Sequence, residues 1–304
     1  VTRSRCTAVA IALLTAALAA AGCGLGPGEE VGSVELTVTR DFGAEPLLER
    51  SLQARESDTV MRALEAEAEI ETRYGGGYVS AIEGVAEGSV GGSPHDWFFF
   101  VDGVESPVGA AERPLRGGER IWWDHRDWSA TNRVPAVVGS WPAPFSDGYE
   151  GRRHPVAIEC EGGGAACGAV RRALEDEGVA VAGAASKGAI RVLVGPWARL
   201  RDDPTAAQLE DGPEVSGVYA EFIRLGAEYS LLGLGLDGMV GRRFGPTVGL
   251  VAATRRLEAP PVWVVTGVTA AGVEAAAGLL DEATLRDHYA LATEDGLEEP
   301  LPLR

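Results

Sequence analysis

The sequence predicts two folded units of different class, an α+β domain of one helix on a small mixed sheet followed by an α/β sandwich domain. Three observations carry this. Five of the seven tryptophans fall between Trp97 and Trp141, whereas the second half is mostly Ala, Val, Leu and Gly. Proline and glycine crowd the stretch from Pro135 to His154, with Pro142, Pro144, Gly139, Gly148 and Gly151 inside it. Before that stretch one helical period lies among several strands; after it strand and helix alternate. A chain of 304 residues is long enough for two domains of ordinary size.

Residues 1–22 have the pattern of a secretory signal: Arg3 and Arg5, an apolar stretch from Thr7 to Ala21, and small residues before Cys23. The stretch is shorter than the ~20 residues needed to span a bilayer. Ala20-Ala21-Gly22-Cys23 resembles the bacterial lipobox, with Ala20 where leucine is commonest. That resemblance implies lipidation at Cys23, with residues 23–33 as a tether; the alternative is an ordinary signal peptide cut nearby, leaving Cys23 a free thiol. The expected location is the extracytoplasmic face of a bacterial cell membrane, held by a lipid anchor.

Residues 34–130 form the first predicted domain. Val34 to Thr39 alternates as an edge-like strand, and Asp58 reads as the N-cap of a helix over Thr59 to Ala68 with Val60, Met61 and Leu64 on one face. Tyr78 to Ile82 is a short strand. Trp97 to Val101 is the strongest strand in the chain, and Asp102-Gly103 ends it in a tight turn. Ile121 to His125 closes the domain.

Residues 131–154 read as a Pro/Gly-rich linker that cannot be helical. Residues 155–304 then form the α/β domain. Its expected strands are Val156 to Glu159, Ala189 to Val194, Tyr229 to Leu236 and Val262 to Thr266. Helices are expected over Gly168 to Glu177, from Thr205 to about Leu225, and over Ala270 to Leu280. The run Ala189 to Val194 is apolar throughout, as in a strand covered on both faces.

Cys160 and Cys167 are an even pair separated by Glu161-Gly-Gly-Gly-Ala-Ala, a loop flexible enough to close a disulfide. Such a bond contributes about 2–3 kcal/mol. Two reduced buried thiols are the alternative, and a metal site would need more ligands than the nearby His154. The net charge of −18 excludes nucleic acid held through its phosphates. It also opposes anionic lipid, so only an anchor would keep the protein at the membrane.

The first domain carries a pattern of blocks: Asp58-Thr59-Val60, then Gly76-Gly77-Tyr78-Val79-Ser80-Ala81-Ile82-Glu83-Gly84, then Trp97-Phe98-Phe99-Phe100-Val101-Asp102-Gly103. Gly109, Leu115-Arg116-Gly117-Gly118-Glu119 and Ile121-Trp122-Trp123 follow. Over about residues 34 to 128 it resembles the transcobalamin-like C-terminal domain, a domain of unknown function in many bacterial surface proteins. Asp102 stands where that family prefers Asn, and Glu119 where it prefers Asp. In the vitamin carriers this domain is one of two halves that close over a cobalamin, the other being a helical barrel. The resemblance implies a ligand-binding role, with cobalamin as a ligand rather than a cofactor; no other cofactor is expected.

On extended strands Trp97, Phe99 and Val101 share one face and Phe98 and Phe100 the other. Ile121, Trp123 and His125 point one way, Trp122 and Asp124 the other. One of these faces is expected to be core and the other an outward aromatic floor, which could bind a flat ligand or pack on the second domain. The candidate ligand-binding set is Tyr78, Trp97, Phe99, Trp122, Trp123, His125 and Trp128. No catalytic or metal set emerges. Ser93, His95 and Asp96 crowd into one loop and cannot take triad geometry. Glu65, Glu67, Glu69 and Glu71 read as a solvated face. Gly195-Pro196-Trp197 with Tyr219 and Trp263 is a weaker second pocket.

The expected function is therefore a cell-surface lipoprotein that binds a ligand, cobalamin-like or otherwise bulky, and hands it to a transporter. The alternative is an extracytoplasmic protein–protein interaction module with no small-molecule ligand. An enzyme is not expected. An open aromatic cleft between the domains would favour capture, and a closed, dry interface the interaction module.

Overall fold

In the computed structural model, residues 28–162, 164–182 and 188–304 are described; the predicted signal segment and Cys23 lie outside them. The architecture is a sheet-rich sandwich with a few short helices. The first half runs β1 (Glu30–Arg40), β2 (Glu45–Arg55), α1 (Val60–Glu67), β3 (Ile70–Arg73), β4 (Tyr78–Ile82), β5 (Val85–Ala86), β6 (Gly88–Val90), β7 (Ser93–Val101), β8 (Val104–Glu105) and β9 (Arg120–Asp127). The main sheet has the order β2-β1-β9-β7-β6 and is mixed, because β1 and β9 are parallel while the other pairs are antiparallel.

Period-2 alternation decides which face of this sheet meets the helix. Val34, Leu36 and Val38 of β1 join Ile121 and Trp123 of β9 and Val60, Met61 and Leu64 of α1 in one core cluster. The small antiparallel sheet β3-β4-β5 adds Val79 and Ile82 to that core. Helix α1 is capped by Thr59, whose hydroxyl accepts from the Arg62 amide at 3.3 Å. Asp58 is not the cap as expected; its carboxylate accepts from the Arg55 amide at 2.8 Å and closes the preceding turn. The turn at Asp102-Gly103 is as expected, with both residues at positive φ (53° and 74°), the conformation a two-residue hairpin requires.

The stretch expected to be a linker, 131–154, is corrected in its burial. Val134, Ala136, Val137, Val138, Trp141, Phe145 and Tyr149 are all buried, and a one-turn helix α2 (Ala143–Ser146) forms after Pro142. Proline at the first turn is compatible with helix, because its missing N–H would have no intrahelical partner there. The segment's apolar side chains, not its breakers, determine where it lies.

The second half runs β10 (Val156–Cys160), α3 (Gly164–Asp176), β11 (Val181–Ala182), β12 (Ile190–Pro196), α4 (Trp197–Leu200), α5 (Pro213–Ser216), β13 (Ala220–Leu225), β14 (Glu228–Leu234), β15 (Val240–Arg243), β16 (Gly249–Thr254), β17 (Val262–Gly267), α6 (Ala270–Ala277), α7 (Glu282–Leu285), β18 (Ala290–Glu294) and β19 (Leu297–Leu301). Its sheet has the order β11-β10-β12-β17-β16-β18-β19, parallel as far as β17 and antiparallel beyond. Successive residues of β16 and β17 feed opposite cores. Val251, Ala253, Trp263 and Val265 face α3, α6 and the segment around Trp141, while Leu250, Ala252, Val262 and Val264 face the other way.

That other face is covered by a second sheet, β13-β14-β15, and by the first half of the chain. The helix expected from Thr205 to Leu225 is thus a correction. A 3-10 turn over Ala206–Glu210 and the one-turn α5 end at Gly217 (φ 74°), and Ala220–Leu225 is a strand paired with β14. Gly212, Pro213 and Gly217 interrupt any longer helix, and Gly226 at φ 67° returns the chain as a hairpin. Cys160 and Cys167 are joined by a disulfide between the end of β10 and the first turns of α3. No helix among the described residues is long and apolar enough to cross a membrane.

Candidate functional site

The outward face of the first sheet is not open. Phe100 of β7, Trp122 of β9 and Phe42 of the β1–β2 turn lie in one core cluster with Tyr219 and Tyr289 of the second half. The Tyr289 ring meets Phe42, Phe100 and Trp122 edge-on at centroid distances of 5.0, 5.6 and 5.3 Å, and Tyr219 meets Phe42 at 5.0 Å. Edge-to-face contacts of this kind add to the burial of the rings themselves.

Polar groups are buried within this contact. A chain of them around Asp124 is hydrogen-bonded, while the Tyr219 hydroxyl and Arg126 Nε have no hydrogen-bond partner among the described residues. Thr39, Trp122 and Asp124 project from one face of β1 and β9. The Trp122 indole N–H donates to Thr39 Oγ1 at 2.8 Å, and Thr39 donates in turn to Asp124 Oδ1 at 2.6 Å. Asp124 also accepts from the Gly43 amide at 3.1 Å and, across the halves, from the Tyr289 hydroxyl at 2.9 Å. Burial pushes the Asp124 carboxyl above its ordinary range, against the pull of these donors. Burial and the neighbouring Asp124 together hold the Tyr289 phenol well above its ordinary value. Beside them Arg126, fully buried, stacks its guanidinium 3.8 Å over the Phe98 ring and donates to the carbonyls of Thr131 and Asn132.

At the edge of this contact the seam opens into a cleft of about 310 Å³. Its floor is a lattice of side chains set by strand register. Ser51, Glu35 and Arg120 form one row across β2, β1 and β9, and Glu49, Thr37 and Trp122 form the next. Its roof is Gly139 and Ser140 from the buried connecting segment and Arg286 and Asp287 from the loop between α7 and β18. Ion pairs span the seam. Arg286 pairs with Glu49, and Arg120 lies 3.3 Å from Glu35 and 2.9 Å from Glu282. Each such half-exposed pair is worth at most about 1 kcal/mol. Burial pushes the Asp287 carboxyl up to about 6, opposed by Arg286.

The residues singled out in the sequence fall in four places. Trp97, Phe99 and Trp123 belong to the core under α1, with Phe99 and Trp123 stacked at 4.8 Å and the Trp97 indole donating to the Val85 carbonyl at 3.0 Å. Trp122 lies in the contact between the halves. His125 is buried at the far end of β9, stacked on His95 at 5.4 Å with Nε2 3.1 Å from the Ala86 carbonyl; burial and His95 lower its pKa. Nearby, the Tyr78 hydroxyl sits between the carboxylates of Glu87 and Asp96; burial, and then these two acceptors, raise its pKa. Trp128, just past β9, is 39% exposed.

The structure therefore does not bring the seven candidates together as one surface. The weaker second pocket is also corrected. Trp197 and Tyr219 lie on one side of the seven-stranded sheet and Trp263 on the other, all three buried. Among the described residues no three His, Cys, Asp or Glu side chains are grouped so as to hold a metal ion. Sequence reasoning missed Asp124, Arg126, Tyr289, Arg286 and Asp287. For the first two a signal existed: charged residues at period 2 on the same face as Trp122, directly after the apolar run Ile121-Trp122-Trp123.

Of the comparisons with known proteins, the family match falls in the first half. Residues 57–126 match the family described as "Domain of unknown function (DUF4430)". No curated protein matches. Among solved structures, a crystal structure of a "putative metal binding protein" from Ruminococcus gnavus ATCC 29149 is similar at 14% identity and a TM-score of 0.25, covering 32% of this chain and 97% of that one. A likeness of that degree carries no argument about a ligand.

Proposed function

We propose that the chain is an extracytoplasmic binding protein, held at the membrane by a lipid on Cys23, in which a transcobalamin-like unit and the C-terminal sheet domain form one body. A small molecule is bound in the seam cleft between them and passed to a transporter. The observation that carries this reading is the cleft of about 310 Å³ whose floor and roof come from opposite halves. It falls at the lower end of the ~300–1,000 Å³ usual for small-molecule sites. The aromatic face between the halves is closed by Tyr289 and Tyr219, and the other is covered by α1. By the criterion of an open aromatic cleft this counts against aromatic capture; the binding reading rests on the polar cleft at the seam alone. A corrinoid is far larger than the cleft and would require the seam to open.

The test is tryptophan fluorescence and calorimetry of the full chain with cyanocobalamin and cobinamide. It is combined with mass spectrometry of small molecules that co-purify with the chain from its own membranes. No saturable corrinoid binding is expected, and a co-purified molecule should be lost from the cleft-filling variant Thr37→Trp. Saturable corrinoid binding, or a bound molecule indifferent to Thr37→Trp, would overturn the seam reading.

A second reading, protein–protein interaction without a small ligand, has its own support. Trp128 is 39%, Met239 69% and Val240 58% exposed. Their segments touch, since a Cβ on Gly238 would lie 2.9 Å from that of Ala130. Loss of a pulled-down partner in Trp128→Ala, with no co-purified small molecule, would favour it.

A further inference from the structure

One side chain lining the cleft takes no part in the hydrogen bonds and ion pairs that join the halves. Asp287 sits at φ 59°, a left-handed conformation that aspartate tolerates better than most residues. Its main chain is pinned from two sides. Its N–H donates to the Gly139 carbonyl at 3.4 Å, and its own carbonyl lies so near Gly43 that a Cβ there would be 1.8 Å away. Unusual backbone held by close neighbours is a reason to ask what the side chain does. The carboxylate is half-buried and, among the described residues, accepts no hydrogen bond.

The other acids of the cleft are committed. Glu49 pairs with Arg286, and Glu35 and Glu282 with Arg120. We infer that the seam cleft takes a small organic cation, a primary ammonium or guanidinium compound, with Asp287 as its anchoring carboxylate. This rests on the reading of the seam as a binding site and names its ligand class. The Thr37 and Ser51 hydroxyls and the Trp122 ring offer the remaining polar and apolar contacts.

Charge selects this class over its rivals. An anion would find the three arginines of the cleft already paired, Arg50 with Glu67, Arg120 with Glu35 and Glu282, and Arg286 with Glu49, inside a chain of net charge −18 that repels it from a distance. A hard divalent cation takes six or more oxygens, whereas the cleft offers one uncommitted carboxylate with Arg120 and Arg286 alongside. The charged groups around Asp287 are Arg286 beside it, Glu49 and Arg50 from β2, Asp124 from β9 behind, and Arg120, Glu35 and Glu282 at the other end. With its carboxyl pushed up to about 6, Asp287 is ionised at neutral pH, and cation binding should weaken as pH falls through that value.

The test is calorimetry of the full chain with putrescine and with agmatine, at about pH 7.5 and about pH 5. Saturable binding is expected at the higher pH, about tenfold or more weaker in Asp287→Asn, as for loss of one charge-assisted hydrogen bond. Asparagine also tolerates the left-handed φ, so the fold is kept, and an unchanged thermal transition checks this. A carbon NMR titration of the Asp287 carboxyl gives a readout independent of the variant, and putrescine should lower its midpoint. No heat with either amine would overturn the assignment, as would equal affinity in Asp287→Asn or displacement by magnesium at the same stoichiometry. A neutral or anionic molecule that co-purifies and is lost in Thr37→Trp would sink this ligand class while leaving the seam reading intact.

Discussion

Replacing Tyr289 by phenylalanine removes one oxygen and leaves the ring that packs on Phe42, Phe100 and Trp122 in place. No cavity of consequence is made, so the change isolates the hydroxyl's 2.9 Å bond to Asp124 across the two halves. Asp124 keeps Thr39 and the Gly43 amide as donors, and its other oxygen loses its partner in a site with no solvent exposure. A hydrogen bond to a charged group is worth about 1.5–3 kcal/mol and a neutral one about 0.5–1.5. The loss should therefore depend on pH. Burial raises the folded-state pKa of Asp124 above its unfolded value, so its ionisation costs stability as pH rises through the folded value. Below that value the carboxyl is neutral in both proteins and Tyr289→Phe should cost only about 1 kcal/mol. Above it the variant must ionise the same carboxyl with one donor fewer, and the cost should grow to about 2–3 kcal/mol. Urea unfolding of both proteins across that range, followed by tryptophan fluorescence, measures this as a shift in midpoint at unchanged slope. A difference under about 0.5 kcal/mol at neutral pH, or one that shrinks as pH rises, would refute the assignment of this bond as a joint between the halves.

Two further perturbations test how the seam and the sheet are built. Gly43→Ala forces a side chain at φ 84° against the Asp287 carbonyl and should destabilise the chain by roughly 2–4 kcal/mol in the same unfolding assay; a loss near zero would mean the two loops are not in contact. The double change Cys160→Ser and Cys167→Ser should cost about 2–3 kcal/mol, matched by the effect of reductant on the parent and absent on further reduction of the variant.

Particular residues mark how far the sequence could be read. Tyr78–Ile82 and the Asp102-Gly103 turn were legible because each is a local property, a run of strand formers and a pair of residues at ease with positive φ. Ala220–Leu225 was not, because its strand character comes from pairing with β14 and its composition suits a helix equally. The charged strand β2 escaped notice for the same reason: it alternates weakly and is fixed by its register with β1. For the site, the floor residue Trp122 stood out by type. Asp287 and Tyr289 did not, since nothing local joins them to residues more than 160 positions away.

By itself the sequence determined the faces: which side chains of β1, β7 and β9 lie together follows from the two-residue period of an extended chain. It also made the Cys160–Cys167 disulfide the favoured pairing, since proximity in the chain keeps the two sulfurs close, and the structure joins them. Only the tertiary structure decided what each face meets. Trp122, Phe100 and Asp124 could equally have lined an open floor; the contact with Tyr289 exists because the antiparallel end of the seven-stranded sheet carries β18 to that face. The reason is physical. Apolar burial is non-directional and rewards any partner that excludes water, so a strand's pattern specifies that it must be covered and leaves the covering element to the global packing.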